Sequence, residues 1–219
     1  MIELSLGPPA DGIAYRVVAL GAHSDDLEIG AGGTLLRLVA EHPKTQVHWV
    51  VLSAVGDRRA EAEGSAQALL GPCAAKLHLH SMRDGFVPGD WAGAKEVLLG
   101  VARGVRPDIV LAPSTADLHQ DHRALAELAW QAFRGALILE YEIPKWDGDV
   151  GRPSLYVPLT DEVVAAKVEH LHRHFVSQLG KPWFDEERFR SLLRLRGVAC
   201  ASRYAEAIFA RTVVLGGSS

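Results

Sequence analysis

Twice in its first two-thirds this chain breaks off a largely apolar run with a turn rich in histidine and aspartate, then resumes with a helical pattern. Tyr15-Arg16-Val17-Val18-Ala19-Leu20 leads into Gly21-Ala22-His23-Ser24-Asp25-Asp26, and the run 107–113 leads into Ser114-Thr115-Ala116-Asp117-Leu118-His119-Gln120-Asp121-His122. Parallel strands need a crossover between them, so strand-type runs that alternate with helical segments specify a parallel sheet with helices packed on it. Strands are expected at 15–21, 46–53, 76–80, 107–113 and 136–141, and helices at 34–41, 58–70, 91–103, 123–133, 161–175 and 185–196. The expected fold is therefore α/β and Rossmann-like, a mostly parallel sheet with helices on both faces, in one domain spanning 1–219. Residues 142–153 read as a Gly/Pro/Asp-rich loop bordering the cleft, and 203–215 mix helical and strand signals before a Gly-Gly-Ser-Ser tail.

Composition bears on what such a sheet can do. Hydrophobic residues make up 48% of the chain, ample for a core on both faces of a sheet. The net charge of −4 argues against nucleic acid or an anionic membrane as the main partner and favours small-molecule chemistry. Cys73 and Cys200 stand alone, so neither a disulfide framework nor a thiolate zinc site is indicated. No basic-then-apolar leader and no apolar run of the roughly 18–20 residues that span a bilayer are visible, so a cytoplasmic protein is expected.

A strand that ends in a turn before a helix delivers its last side chains to the crevice at the carboxyl edge of the sheet, where open α/β proteins bind ligands. His23, Asp25 and Asp26 would share that crevice with His119, Asp121 and His122. A single aspartate there is explained by helix capping. Two adjacent carboxylates beside a histidine are not, because like charges repel unless a cation or a proton transfer uses them. Nitrogen and carboxylate ligands with one position left open are the composition of a catalytic zinc site, although such ligands accept other divalent ions.

Those residues also carry a family resemblance. Ala22-His23-Ser24-Asp25-Asp26, followed by Glu28-Ile29-Gly30-Ala31-Gly32-Gly33-Thr34, resembles the Ala-His-Pro-Asp-Asp and Gly-x-Gly-Gly-Thr signature of the PIG-L/LmbE-like zinc-dependent N-deacetylases. His119-Gln120-Asp121-His122 resembles that family's His-Pro-Asp-His, and similarity extends through Arg58-Arg59, the strand 106–111 and Arg203-Tyr204-Ala205-Glu206-Ala207. The resemblance implies His23, Asp26 and His122 as zinc ligands, Asp25 as general base, His119 as the group stabilising a tetrahedral intermediate, and Asp121 as the carboxylate orienting a histidine. It implies a small N-acylated substrate, most simply an N-acetylglucosamine-type sugar or conjugate. Arg58, Asp84 and Glu142 are the expected substrate-side groups, with an ion pair as the competing account of each. Ser24 and Gln120 replace the family's prolines, and Leu27 stands where it often has another acid.

Other classes are weaker. A non-catalytic metal- or sugar-binding module on the same fold would be favoured by loss of Asp25 or His119, and both are present. Gly30-x-Gly32-Gly33 lacks the Gly-x-Gly-x-x-Gly spacing of a dinucleotide site. His42, His48, His78 and His80 fall on helix ends or strand faces and are expected to be structural. His170, His172 and His174 alternate at a spacing that cannot place all three on one face of a helix. Trp49, Trp130 and Trp146 are expected in the core or at a rim rather than on a stacking platform for bases. Oligomeric state is not legible in the sequence, and a homo-oligomer is compatible with it.

Overall fold

The computed structural model describes residues 2–214. Its elements run β1 (Arg16–His23), α1 (Asp26–Glu41), β2 (Gln46–Ser53), α2 (Asp57–Leu70), β3 (Ala74–Leu79), α3 (Trp91–Gly104), β4 (Ile109–Pro113), α4 (Gln120–Ala132), β5 (Leu137–Tyr141), β6 (Leu155–Leu159), α5 (Asp161–His174), α6 (Glu186–Ala199) and β7 (Tyr204–Ala210). The strands form a seven-stranded sheet in the order β3-β2-β1-β4-β5-β7-β6. Strands β1 to β5 pair in parallel, whereas β7 runs antiparallel to β5 and β6 antiparallel to β7. The expected α/β architecture is therefore present.

The position of the crevice follows from that order. The chain leaves β1 toward β2 and β3, then restarts on the other side of β1 with β4 and β5. Connections from β1 and β4 depart in opposite directions, which opens a gap above their carboxyl ends. β1 and β4 are in register there, with Val17 opposite Ile109 and Ala19 opposite Leu111.

Alternation along the strands divides the core into two layers, because successive strand side chains point to opposite faces. Val17, Ala19, Val47, Trp49 and Val51 pack against Leu27, Leu35 and Leu38 of α1 and Val168 and Leu171 of α5. Val18, Leu20, Val50, Leu52, Val110 and Ala112 pack against Leu98 of α3 and Leu125 and Leu128 of α4. Truncating a fully buried leucine such as Leu98 or Leu125 to alanine costs about 2–5 kcal/mol in layers of this kind.

Two elements differ from expectation. Helix α1 begins at Asp26, not at residue 34, so the glycine cluster lies inside the helix. A glycine in a helix interior costs about 1 kcal/mol relative to alanine, and here close packing offsets it. A Cβ at Gly30 would fall 2.1 Å from Tyr141 Cδ2 and 2.8 Å from the Glu142 carbonyl oxygen, and one at Gly33 would meet Leu159. Tyr141 in turn donates a buried 2.6 Å hydrogen bond to the Leu20 carbonyl oxygen, tying β5 to β1 beneath the crevice. The second difference is β6, which no expected strand covered. It is the outer edge, half-exposed and containing Pro158, so its short, weakly alternating sequence resembles a loop. The terminal Gly-Gly-Ser-Ser lies outside the described residues. Among the described residues no helix is long and apolar enough to cross a membrane.

Candidate active site

His23 is the last residue of β1, and Asp25 and Asp26 start α1 immediately above it. Across the gap, His119 occupies the position preceding α4, with Asp121 and His122 in that helix's first turn. The two turns meet. His23 Nδ1 lies 3.1 Å from His122 Nε2, and Asp26 Oδ2 lies 3.5 Å from the former and 3.4 Å from the latter. Bonds of about 2.0–2.1 Å to one tetrahedral ion imply donor separations of roughly 3.3–3.4 Å. Three donor atoms of the right chemistry thus form a triangle of the right size.

The remaining nitrogens fit the same conclusion. A metal-bound imidazole usually donates its other N–H to a carboxylate, which fixes the tautomer. His122 Nδ1 faces Asp117 Oδ2 at 3.0 Å. His23 Nε2 faces Asp84 Oδ1 at 3.0 Å and Asp121 Oδ2 at 3.3 Å. Each ring therefore has a carboxylate behind one nitrogen and its other nitrogen toward the triangle. Two further groupings, His23 with His119 and His122, and His23 with Asp84 and Asp121, also have their donors within 4.8 Å of one another. The latter is more open to solvent, with the Asp84 side chain 63% exposed against 5% for Asp26.

The electrostatics describe a place that attracts positive charge. Burial alone would lower the His23 and His122 imidazoles, yet Asp26 and the carboxylates behind them raise His23 well above its ordinary value and His122 to about 9. Burial would raise Asp26, but the two imidazoles hold it well below the usual carboxylate range. A divalent cation would take the place of those protons.

Asp25 is different. Its carboxyl is pushed up by burial despite the neighbouring Arg58 guanidinium. Arg58 donates to Oδ1 at 2.5 Å, while Oδ2 is buried without a hydrogen-bond partner. Although Asp25 sits at the capping position of α1, its side chain makes no capping bond. Nearby Glu28 is pushed to about 8 by burial and accepts from Ser65. His119 accepts at Nδ1 from the Asp121 backbone N–H (3.2 Å), which leaves Nε2 to carry the proton of the neutral ring. Burial and the neighbouring imidazoles lower its pKa and keep that ring neutral.

The structure thus brings together His23, Asp25, Asp26, His119, Asp121 and His122, with Arg58 and Asp84 at the same place. The histidine that the Asp121 carboxylate reaches is His23, and only the Asp121 backbone reaches His119, because Asp121 lies within the first turn of α4. Glu142 is not grouped with the others: its carboxylate is buried in an ion pair with Arg196 and accepts the Gly151 N–H. Sequence reasoning missed Asp117 and Lys145, whose ammonium lies 2.9 Å from Asp117 Oδ1. A carboxylate five residues before His122 is a signal for Asp117; nothing local marks Lys145.

Comparison with known proteins follows the same lines. The family described as PIG-L, GlcNAc-PI de-N-acetylase, matches residues 18–133, more than half of the 219-residue chain. A protein of Escherichia coli (strain K12) named uncharacterized deacetylase YaiS is 29% identical over 171 residues, covering 72% of this chain and 89% of that one. The N,N'-diacetylchitobiose deacetylase of Pyrococcus horikoshii, solved with its inhibitor MPG, superposes with a TM-score of 0.73 at 22% identity, covering 89% of this chain and 82% of that one. GalB, the 4-carboxy-2-hydroxymuconate hydratase of Pseudomonas putida KT2440, superposes with a TM-score of 0.74 at 20% identity, covering 94% and 99%. At these identities the likeness to the two structures is one of fold.

Proposed function

This chain belongs to the PIG-L family, and on that premise we propose that it is a metal-dependent N-deacetylase acting on a small N-acetylated sugar or sugar conjugate. The observation that carries the reading is the triangle of His23 Nδ1, Asp26 Oδ2 and His122 Nε2 standing beside the unpartnered Asp25 Oδ2. Zinc held by His23, Asp26 and His122 would supply polarisation of the acyl carbonyl and a drop in the pKa of water from about 15.7 to about 7.

The chain's own groups account for the proton and charge movements. Asp25 Oδ2 takes the proton of the attacking water and returns it to the nitrogen as the C–N bond breaks, giving acetate and a free amine. Arg58 aims that carboxylate by holding Oδ1, and burial brings its pKa closer to the range a general base needs. His119 donates its Nε2 proton in a hydrogen bond to the carbonyl oxygen as negative charge develops there, an interaction typically worth about 100- to 1,000-fold in rate. Asp84, with a side chain 63% exposed, offers a carboxylate to sugar hydroxyls at the mouth.

The test is acetate release from a panel of N-acetylated sugars by the zinc-loaded protein, with Asp25→Asn and His119→Ala compared at matched metal content. We expect losses of about 100-fold or more in both. Because a hydratase shares the fold, a panel that releases no acetate while a conjugated carbon–carbon double bond gains water would reverse the assignment.

A further inference from the structure

The buried Lys145 ammonium stands between two carboxylates from different segments, 2.9 Å from Asp117 Oδ1 and 2.7 Å from Asp149 Oδ2. Asp117 lies in the turn between β4 and α4, whereas Lys145 and Asp149 belong to the segment between β5 and β6. Each oxygen of Asp117 also serves one of the histidines at the start of α4. Oδ1 accepts the His119 backbone N–H at 2.7 Å, and Oδ2 faces His122 Nδ1 at 3.0 Å. Asp149 Oδ2 accepts the Leu118 backbone N–H at 2.7 Å. One ammonium thus gathers the carboxylates that hold Leu118, His119 and His122.

The ammonium is itself held in place. Arg188 of α6 donates to the Lys145 carbonyl oxygen, and Arg196 of the same helix pairs with Glu142 and donates to the Gly151 carbonyl oxygen at 3.1 Å, so the segment is anchored on both sides of Lys145. Without the ammonium, Asp117 and Asp149 would face one another as like charges in a buried place, where repulsion is strong. The Asp117 carboxylate would turn away, and its hold on the His122 ring and on the His119 backbone would turn with it. A purely electrostatic role has the opposite sign. Removing a positive charge close to the His23/Asp26/His122 triangle would favour a cation there.

We propose that Lys145 is a positioning residue of the cluster: acting through Asp117, it fixes the His122 ring that completes the triangle and the turn that carries His119. The inference rests on the metal-dependent reading for what the triangle holds, and its main readout, zinc affinity, does not require acetate release. Competition with a chromophoric chelator measures that affinity in the full chain, in Lys145→Met and Lys145→Arg, and in Asp117→Asn with and without Lys145→Met. Lys145→Gln is measured beside them, so that a methionine variant that fails to fold does not leave the question open.

We expect Lys145→Met to bind zinc about tenfold more weakly, the lower end of the range for residues behind a ligand, Lys145→Gln to lose affinity in the same direction, and Lys145→Arg to recover most of it. In the Asp117→Asn background, Lys145→Met should add no further loss, because two residues that act through one contact are not additive. At saturating zinc, kcat for acetate release should fall in Lys145→Met with KM within about twofold, since His119 meets charge that develops only in the transition state. Unchanged or tighter zinc binding in the folded Lys145 variants would overturn the proposal, as would a full tenfold loss added on top of Asp117→Asn. An unchanged kcat would remove His119 from it. A wild type that binds no zinc would reject the metal reading and this inference together. The expected pattern of zinc affinities without acetate from any sugar would support the role of Lys145 and reject the deacetylase reading.

Discussion

Two sets of buried charges flank helix α1, and they are built on opposite principles. Behind the helix, the Glu206 carboxylate accepts from the backbone N–H of Gly33 (2.8 Å) and of Thr34 (2.6 Å), the Thr34 hydroxyl and the Lys167 ammonium, both at 2.6 Å. Lys167 also donates to the Ile29 carbonyl oxygen at 2.7 Å. Both oxygens of Glu206 are satisfied, and the pair clamps α1 to α5 and β7. In front of the helix, Asp25 keeps an oxygen with no partner, and two imidazole nitrogens and a carboxylate oxygen converge on one point. A saturated network holds a scaffold, whereas an unsaturated one is tolerated where a ligand completes it. Glu142 falls on the scaffold side by this criterion, because Arg196 and Gly151 occupy both its oxygens.

The comparison is open to direct attack. Its largest expected consequence is at His122: His122→Ala should empty the metal site, lowering affinity by more than the 10- to 100-fold typical of residues behind a ligand. Elemental analysis after dialysis reads this directly, and a full complement of metal in the variant would break the front half of the comparison. Next in size, Lys167→Met should destabilise the fold by about 3–5 kcal/mol in urea unfolding while the folded protein keeps its metal, because it strands a buried carboxylate. Metal loss with unchanged stability would show that the two networks are not separate.

A smaller effect is expected at Asp117, which stands behind His122 without touching the triangle. Asp117→Asn should weaken metal binding by about 10- to 100-fold, measured by competition with a chromophoric chelator. The smallest concerns pH. Burial holds His170, which contacts Ser65 at 2.8 Å, at a pKa of about 4. The unfolded chain binds that proton near pH 6.5, so stability from the neutral ring is present above about 6.5 and lost as pH falls toward 4. His170→Gln should flatten this acid limb by on the order of 1 kcal/mol, and an unchanged slope between pH 6.5 and 4 would show that the ring is not held neutral by the fold.

Reading the sequence was productive where chemistry is local. His23 with Asp25 and Asp26, and His119 with Asp121 and His122, are legible because strand, turn and helix follow one another within a few residues and each carries its own pattern. Where the contact comes from a distant element, the same reading fails. The glycines of α1 look like a loop until Tyr141 and Leu159 are placed against them. Of the two accounts of Glu142, the ion pair has its partner in Arg196, far along the chain, which no local pattern announces.

What the residues determined by themselves was the alternation of strand and helix and the histidines and aspartates carried on the two turns, since periodicity, turn composition and adjacent charge are properties of short stretches. What only the tertiary structure decided was which nitrogen of each histidine faces the triangle with Asp26 and which carboxylates stand behind them. Those depend on the order β3-β2-β1-β4-β5 bringing two distant turns to within hydrogen-bonding range, a proximity set by packing across the whole sheet.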